Sequence, residues 1–292
     1  MQEVTLFAMT QKGHAVVETL ATKFPSLVSA VVSARDPGIA KDYYSEIQDL
    51  CRRSNIPFHD RTEFFSIRTK YAIAVSWRWI IECGSSALVV FHDSLLPRYR
   101  GFNPLVTALI NGDETVGVTA LFATHQYDRG DIVAQSSSSL VYPITIKRAI
   151  ETTLENYEAL ALLLGKNIAE GRELKGTPQA DAEATYSLWR DEEDYFVDWN
   201  ASASRIRRFV DAVGYPYKRA AARLDGRIVR IVQSETMEDV PIINRTPGKV
   251  IFIVDSKPVV VCGDGLLKIT DLVDDETRAS LLPLCRFRMR FK

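Results

Sequence analysis

The sequence has 292 residues, of which 46% are hydrophobic and 25% are charged, and these fractions are typical of a folded globular protein. Lys and Arg total 36 and Asp and Glu total 37, so the formal net charge is -1, which argues against a generic nucleic-acid or membrane-surface binder with its basic excess. The length favours two domains.

The first half alternates short apolar runs with segments of helical periodicity. Strands are predicted at residues 4–9, 27–33, 71–76, 87–91, 116–124 and 133–140, and helices at 14–24, 43–54, 104–111 and 146–171. This alternation predicts an α/β, Rossmann-like domain with a mostly parallel sheet over residues 1–172. Ligands bind such sheets beyond the carboxyl ends of the strands, so the loops after Met9, Ser76 and Phe91 are predicted to line the site.

The pattern changes after residue 172. Residues 173–184 are polar, contain Gly176-Thr177-Pro178, and are interpreted as a linker between domains. A helix is predicted at 202–213, and short β-rich runs follow at 221–232, 250–254, 259–261 and 266–269. Turns such as Asp225-Gly226 separate these runs, so residues 185–292 are predicted to form a smaller β-rich, OB-like domain.

The cysteines and the N-terminal residues favour an ordinary cytoplasmic protein. Cys51, Cys83, Cys262 and Cys285 are widely spaced and include no CxxC pair, so we expect reduced thiols and neither a metal site nor a disulfide framework. The N-terminal residues lack the features of a secretion signal, and no apolar run approaches the ~18 residues that cross a bilayer. Membrane contact is not expected.

Two polar loops carry residues suited to proton transfer. His92 ends an apolar strand and opens a turn rich in Pro and Gly, and a histidine there can titrate near neutral pH. Asp128 begins a glycine-containing loop after another predicted strand. A carboxylate beside a histidine fixes the ring and stabilises its charged form. From these residues alone a structural histidine and an ordinary loop remain the alternative.

Three sequence blocks together resemble the signature of the folate-dependent formyltransferases. They are HDSLLPRYRG at 92–101, NPLVTALINGDETVGVT at 103–119 and DRGDI at 128–132, in the family's order and separation. The family includes methionyl-tRNA, glycinamide-ribonucleotide and sugar-nucleotide formyltransferases. Further similarity at 186–199 and at Tyr215-Pro216-Tyr217 extends the resemblance over residues 1–270 or so. It implies an enzyme that moves a formyl group from N10-formyltetrahydrofolate, its co-substrate, to an amine.

The resemblance also implies roles for matched residues. His92 would stabilise the oxyanion that forms when the amine attacks the formyl carbon, and Asp128 would orient His92, directly or through a water. Folate contacts are implied for Trp77, Arg78, Ile80, Leu95, Pro97, Asp128 and Asp131.

One departure from the family concerns the formyl oxygen. The family usually has an asparagine two residues before the histidine, whereas this chain has Val90, which cannot donate a hydrogen bond. Another donor can replace it, with Asn103 as first choice and His125 as second. The enzyme can instead work without this contact at a lower rate, or the chain can be a non-catalytic relative that binds folate or nucleotide.

The similarity to the sugar-nucleotide branch is the closer one. Asn103 before Pro104 and the Trp189-Arg190-Asp191-Glu192 run are typical of that branch, so we expect the acceptor to be a nucleotide-linked aminosugar used in surface polysaccharide or glycan biosynthesis. Expected substrate contacts to the pyrophosphate are Lys12 and Gly13 at the head of the first helix, with Arg190 and Lys218 as further cations. Tyr186, Trp189 and Tyr217 are expected to stack on the base, and Asn103 is also expected to contact the substrate. The family also suggests a homodimer.

Methionyl-tRNA formyltransferase is the alternative for the acceptor. Members of that branch carry an Arg/Lys-rich insertion early in the catalytic domain, whereas residues 33–44 here are short and nearly neutral. In its favour are the basic helix positions Arg205, Arg207 and Arg208 and the basic C-terminal segment RFRMRFK. Both are interpreted as solvated surfaces, so nucleic acid is not an expected partner. Hydrolysis of formyl-folate to formate is a further alternative reaction.

Overall fold

The chain divides into two compact units. The structure, a computed structural model, describes residues 4–39, 41–284 and 286–292. The first unit comprises the residues up to Pro104, Thr115–Ser139 and Ile150–Leu188, and the second comprises Leu105–Glu114, Leu140–Ala149 and Trp189–Lys292. The domain division at residues 173–184 stays a prediction.

Each strand and helix predicted in the first half is present, with ends that differ by a few residues. In chain order the strands and helices are β1 (Val4–Ala8), α1 (Thr10–Lys23), β2 (Val28–Ser33), α2 (Tyr44–Arg53), β3 (Phe58–Asp60), β4 (Tyr71–Val75), β5 (Ala87–His92), β6 (Arg100–Gly101), α3 (Pro104–Asn111), β7 (Thr115–Phe122), β8 (Ile132–Ser139), α4 (Ile146–Ala169), β9 (Tyr186–Ser187), α5 (Ala203–Ala212), β10 (Ala220–Leu224), β11 (Arg227–Met237), β12 (Val250–Val254), β13 (Lys257–Val261) and β14 (Leu266–Asp274). The sequence missed β3, β6 and β9, because strands of two or three residues carry no periodicity.

The sheet of the first unit is mostly parallel, as predicted. Its strand order is β3-β2-β1-β4-β5-β7-β8. The neighbours from β3 to β5 pair in parallel, whereas β7 pairs antiparallel with both β5 and β8. All residues of β1 and β4 are buried, which is why these strands appear in the sequence as continuous apolar runs.

Two apolar clusters cover the faces of this sheet. One contains Leu6 of β1 with Leu20 of α1 and Leu164 of α4. The other contains Phe7 with Ala74, and Val90 packs against it. Because side chains alternate along a strand, His92 lies on the same face of β5 as Val90.

The second unit is an antiparallel sheet with the order β10-β11-β14-β13-β12, accompanied by α5. The run predicted at 221–232 belongs to two strands, β10 and β11, that are joined at Asp225-Gly226. The C-terminal residues bridge the two edges of this sheet, because Phe291 N–H donates to Gly248 O and Lys292 N–H donates to Arg223 O. The Phe291 side chain is buried against Trp199. The β-rich C-terminal domain is therefore confirmed.

Three cysteines are free thiols, namely Cys51, Cys83 and Cys262, and Cys285 lies outside the described residues. Burial raises the pKa of the Cys51 and Cys262 thiols to about 12. Across the described part of the chain, no group of three or more His, Cys, Asp or Glu side chains is placed to hold a metal ion. No helix within the same residues is both long and apolar enough to span a bilayer.

Candidate active site

His92 is held at the carboxyl end of β5 by two acceptors. The residue is 8% exposed, and its Nε2 donates to Tyr99 O at 2.8 Å. Its Nδ1 lies 3.4 Å from Asp128 Oδ1. A neutral imidazole carries one N–H and can donate to one of these acceptors, whereas the doubly protonated ring can donate to both. Both ring nitrogens therefore face an acceptor, and these two contacts set the orientation of the ring.

Asp128 is fixed through both its side chain and its backbone. Its Oδ2 accepts the Gly101 N–H at 2.8 Å, which leaves Oδ1 facing His92. Its own carbonyl accepts a hydrogen bond from Gln179 Nε2 at 2.8 Å. The structure thus brings together His92 and Asp128, which are 36 positions apart in the sequence.

Left-handed backbone conformations cluster beside this pair. The φ angles are 58° at Tyr99, 101° at Gly101, 49° at Asn103 and 55° at Asp128. Such angles cost about 1–3 kcal/mol for a residue other than glycine and persist where surrounding contacts enforce them. At Gly101 a Cβ would lie 2.5 Å from Ser187 O, so this position requires glycine. The turn after the His92 motif is therefore held in a conformation that the local sequence does not favour.

The sequence did not point to Gln179, Thr185 and Ser187, which hold this turn. Thr185 O accepts the Arg100 N–H at 2.8 Å, and Ser187 O accepts the Phe102 N–H at 3.0 Å. Gln179 Oε1 accepts from Arg100 Nη2 at 2.8 Å. Gln179 lies inside residues 173–184, which are interpreted from the sequence as a linker between domains. No local sequence signal marked this segment, because the burial of Arg100, whose guanidinium needs partners, is visible only in the structure.

The Lys12 ammonium, predicted to bind phosphate, forms an ion pair with Asp93 Oδ2. Tyr157 Oη donates to Asp93 Oδ1 at 2.6 Å. Burial by itself would raise the pKa of the Asp93 carboxyl, but Lys12 and the Tyr157 hydroxyl outweigh it and hold the pKa below its usual value. Burial and the Asp93 charge raise the Tyr157 pKa well above its ordinary value. Asp93 therefore neutralises the charge of Lys12. A contact between Lys12 and a substrate phosphate stays a prediction.

Gly13 is buried at the start of α1. A Cβ at this position would lie 3.0 Å from the carbonyl carbon of Ala8, so the glycine allows the helix to pack closely on β1. This packing gives Gly13 a structural reason to be present, and its contact with substrate is still a prediction.

The residues predicted to contact folate have different environments. The Trp77 and Phe7 ring centroids lie 5.1 Å apart, and the buried Trp77 Nε1 has no hydrogen-bond partner among the described residues. Arg78 Nη2 lies 2.7 Å from Asp36 Oδ2, and Ile80 is 96% exposed. Leu95 and Pro97 are half-buried in the turn after His92, and Asp131 is exposed after the Asp128 loop. Trp77, Leu95 and Pro97 thus offer apolar surface, and Arg78 is engaged with a carboxylate.

The residues predicted to contact the acceptor occur in both units. In the first unit, Tyr186 is 61% exposed and Asn103 is half-buried. In the second unit, Trp189 is 61% exposed and Tyr217 is 37% exposed. Still within the second unit, Arg190 Nη1 donates to Asp194 O at 3.2 Å, and Lys218 pairs with Glu192. Both cations therefore already have partners in their own unit.

Val90 packs in an apolar environment. It lies against the cluster that contains Phe7, Ala72 and Ala74, opposite Ala74 of β4 and Leu121 of β7. The first-choice replacement donor, Asn103, precedes α3, whereas His125 lies exposed in the loop after β7. Which group replaces the family's asparagine stays open.

Comparisons with known families agree with this geometry. The formyl transferase family model matches residues 78–163, which contain His92 and Asp128, and the formyl transferase C-terminal domain model matches residues 190–280. Together these segments account for more than half of the chain. The chain belongs to the formyltransferase family. The resemblance inferred from the three sequence blocks is therefore confirmed.

The sequence relatives found include methionyl-tRNA formyltransferases from several bacteria. The methionyl-tRNA formyltransferase of Ralstonia nicotianae is 31% identical over 200 residues, which is 66% of this chain and 58% of that relative. The alignment thus spans less than two thirds of that protein's length.

Solved structures show the same formyltransferase fold. The N-formyltransferase from Helicobacter canadensis, in complex with folinic acid and dTDP-3-aminofucose, has a TM-score of 0.67 at 14% identity, covering 92% of this chain and 99% of that one. HypX from Aquifex aeolicus, in complex with tetrahydrofolic acid, has a TM-score of 0.60 at 19% identity, covering 95% of this chain and 45% of that one. At these identities the likeness concerns the fold.

Proposed function

We propose that this protein transfers a formyl group from N10-formyltetrahydrofolate to the amino group of a second substrate. The observation that carries the proposal is the His92–Asp128 pair, 3.4 Å apart at the carboxyl end of β5 and inside the segment matched by the family model. Formyl transfer needs a group that stabilises the oxyanion and moves a proton, and a histidine held by a carboxylate can do both.

The residues of the chain support a defined sequence of steps. The substrate amine attacks the formyl carbon, a C–N bond forms, and the carbonyl oxygen becomes an oxyanion that a His92 N–H stabilises. The bond from the formyl carbon to folate N10 then breaks, and the proton lost by the amine passes through His92 to N10. The 2.8 Å bond from Nε2 to Tyr99 O fixes the ring and keeps a hydrogen on Nε2, so Nδ1, 3.4 Å from Asp128 Oδ1, is the nitrogen that takes up and releases the transferred proton.

The chain also has groups that fit a reduced folate. Trp77, Leu95 and Pro97 provide apolar surface for its rings.

For the acceptor, we propose a nucleotide-linked aminosugar. Phe102 follows Gly101 and is 54% exposed, Tyr127 precedes Asp128 and is 82% exposed, and their ring centroids are 6.3 Å apart. Exposed aromatic rings next to a reactive pair can stack on a base or a sugar ring. The Helicobacter canadensis protein in complex with dTDP-3-aminofucose, which shares this fold, also motivates the choice.

Transfer-RNA is the second candidate acceptor, favoured by a row of cations on the second unit. Exposed Arg290 lies opposite exposed Lys249, and exposed Lys292 lies opposite exposed Arg223. Like charges on facing positions repel, and a polyanion would relieve the repulsion. The Ralstonia nicotianae relative is a methionyl-tRNA formyltransferase.

A single-turnover assay with N10-formyltetrahydrofolate decides between these functions. Purified protein is mixed with a panel of nucleotide-linked aminosugars or with methionyl-tRNA, and formylated product and free formate are both measured. We expect transfer to an aminosugar nucleotide. Transfer to methionyl-tRNA alone would select the second candidate. Formate release without an acceptor would indicate a hydrolase, and folate binding without turnover would indicate a non-catalytic relative.

A further inference from the structure

The side-chain amide of Gln179 has every hydrogen-bonding position filled. Its Nε2 donates to Asp128 O at 2.8 Å and to Gly130 O at 2.8 Å. Its Oε1 accepts from Arg100 Nε at 3.1 Å and from Arg100 Nη2 at 2.8 Å. An amide has two N–H donors and two acceptor lone pairs, so the four contacts use its full capacity.

The partners leave one possible orientation for this amide. Carbonyl oxygens can only accept, and a guanidinium can only donate, so the NH2 group must face the Asp128 turn and the oxygen must face Arg100. Glutamate at this position could still accept from Arg100 but would set a carboxylate oxygen against two carbonyl oxygens. Methionine would fill a similar volume and make none of the four bonds. The position therefore discriminates between amide, carboxylate and thioether side chains of nearly equal size.

Hydrogen bonds from Gln179 reach Asp128 by two routes, directly at its backbone carbonyl and through Arg100 and Gly101 at its carboxylate. Arg100, which is 1% exposed, is bonded to Gln179, and the next residue, Gly101, donates its N–H to Asp128 Oδ2 at 2.8 Å. Asp181 connects Arg100 to the Asp128 loop a second time. Its Oδ1 lies 2.8 Å from Arg100 Nη2, and its Oδ2 lies 3.2 Å from Nη2 of Arg129, the residue after Asp128. The backbone and the carboxylate of Asp128 are thus held by one continuous set of hydrogen bonds.

The Asp128 turn needs such support. Asp128 has a φ of 55°, in the left-handed region that favours glycine. At Gly130 a Cβ would lie 1.7 Å from Phe122 O, so the turn is packed tightly against the end of β7. The two hydrogen bonds from Gln179 span the turn and offset part of its conformational cost.

We propose that Gln179 is a positioning residue, which holds the Asp128 turn and thereby sets the distance from the Asp128 carboxylate to His92. The inference rests on the proposed function for its effect on turnover, while its effect on the turn is independent of any activity. A segment that the sequence suggested to be a linker is then part of the active-site scaffold. A change in geometry of about 1 Å at such a pair can cost about 100-fold in rate.

The test compares full-length Gln179→Glu and Gln179→Met with wild type and with Gln48→Glu, a matched control at an exposed position on α2. Hydrogen exchange at the Gly101 amide is measured by NMR, because this N–H is bonded to Asp128. Steady-state kcat and folate KM are measured with the acceptor that wild type uses. We expect Gly101 exchange about tenfold faster in both Gln179 variants, kcat about 10- to 100-fold lower and folate KM within about twofold.

A double-mutant cycle separates positioning from general damage. If Gln179 acts through Asp128, adding Gln179→Glu to Asp128→Asn should lower kcat by less than about threefold further. Full additivity of the two losses would overturn the proposal, as would unchanged Gly101 exchange in a folded variant. Should Gln179→Glu fail to fold, Gln179→Met supplies the same comparison without the added charge.

The outcomes distinguish this inference from the proposed function. If wild type transfers no formyl group to any acceptor, the proposed function fails, and the exchange rates alone decide about Gln179. Faster Gly101 exchange would then still support the role in holding the turn. If wild type is active and both Gln179 variants keep wild-type kcat, the inference fails and the proposed function stands.

Discussion

The substitution Asp128→Asn exchanges the carboxylate beside His92 for a neutral amide of the same size. Asp128 Oδ1 lies 3.4 Å from His92 Nδ1, and two unit charges at that distance attract by about 5 kcal/mol at an effective dielectric constant of about 20. The Asp128 side chain is 16% exposed, and solvent reduces this to roughly 3–4 kcal/mol. If His92 becomes charged in the transition state, the loss corresponds to a kcat about 100- to 1000-fold lower.

The fold should tolerate this change, because the asparagine Oδ1 can still accept the Gly101 N–H. The assay is single-turnover formyl transfer from N10-formyltetrahydrofolate to the acceptor used by wild type, with thermal unfolding as a check on structure. Asp49→Asn, at an exposed position on α2, is the control for loss of a surface carboxylate. A kcat within about threefold of wild type would refute the electrostatic role, since it would leave less than about 1 kcal/mol for the pair.

Three further predictions concern His92, Val90 and Asp211. His92→Asn should lower kcat at least ~100-fold while folate affinity, measured by equilibrium binding, is largely kept. Val90→Asn should raise kcat if no other donor reaches the formyl oxygen; an unchanged or lower kcat, combined with a loss in Asn103→Ala, would identify Asn103 as that donor. Burial, partly offset by Arg207, raises the pKa of Asp211 from 3.8 to about 6. The folded state therefore binds more protons than the unfolded state between these pH values, and stability falls as pH rises through this window. Asp211→Asn should remove the dependence and stabilise the protein at pH 7 by up to about 3 kcal/mol, measured by denaturant unfolding, and an unchanged pH profile would contradict it.

The sequence alone predicted the longer strands and helices of the first unit and named His92 and Asp128 as the candidate reactive pair. The apolar runs of β1 and β4 predicted buried parallel strands because a sheet covered on both faces needs apolar residues at every position. His92 and Asp128 could be named because each follows a predicted strand and because both lie in the sequence blocks that resemble the formyltransferases. Periodicity and strand ends are local properties, so they can be recognised without knowing the fold.

Only the tertiary structure showed which partners the polar side chains near this pair bind. Gln179 belongs to a polar run that was interpreted as a linker, yet its partners Asp128 and Arg100 are 51 and 79 positions away. Lys12 looked like a phosphate ligand, yet it pairs with Asp93, which is 81 positions away. The hydrogen bonds of a polar side chain can be made to water or to a distant protein group, and the local sequence is the same in both cases. Only folding, which brings the distant group within hydrogen-bonding distance, distinguishes them.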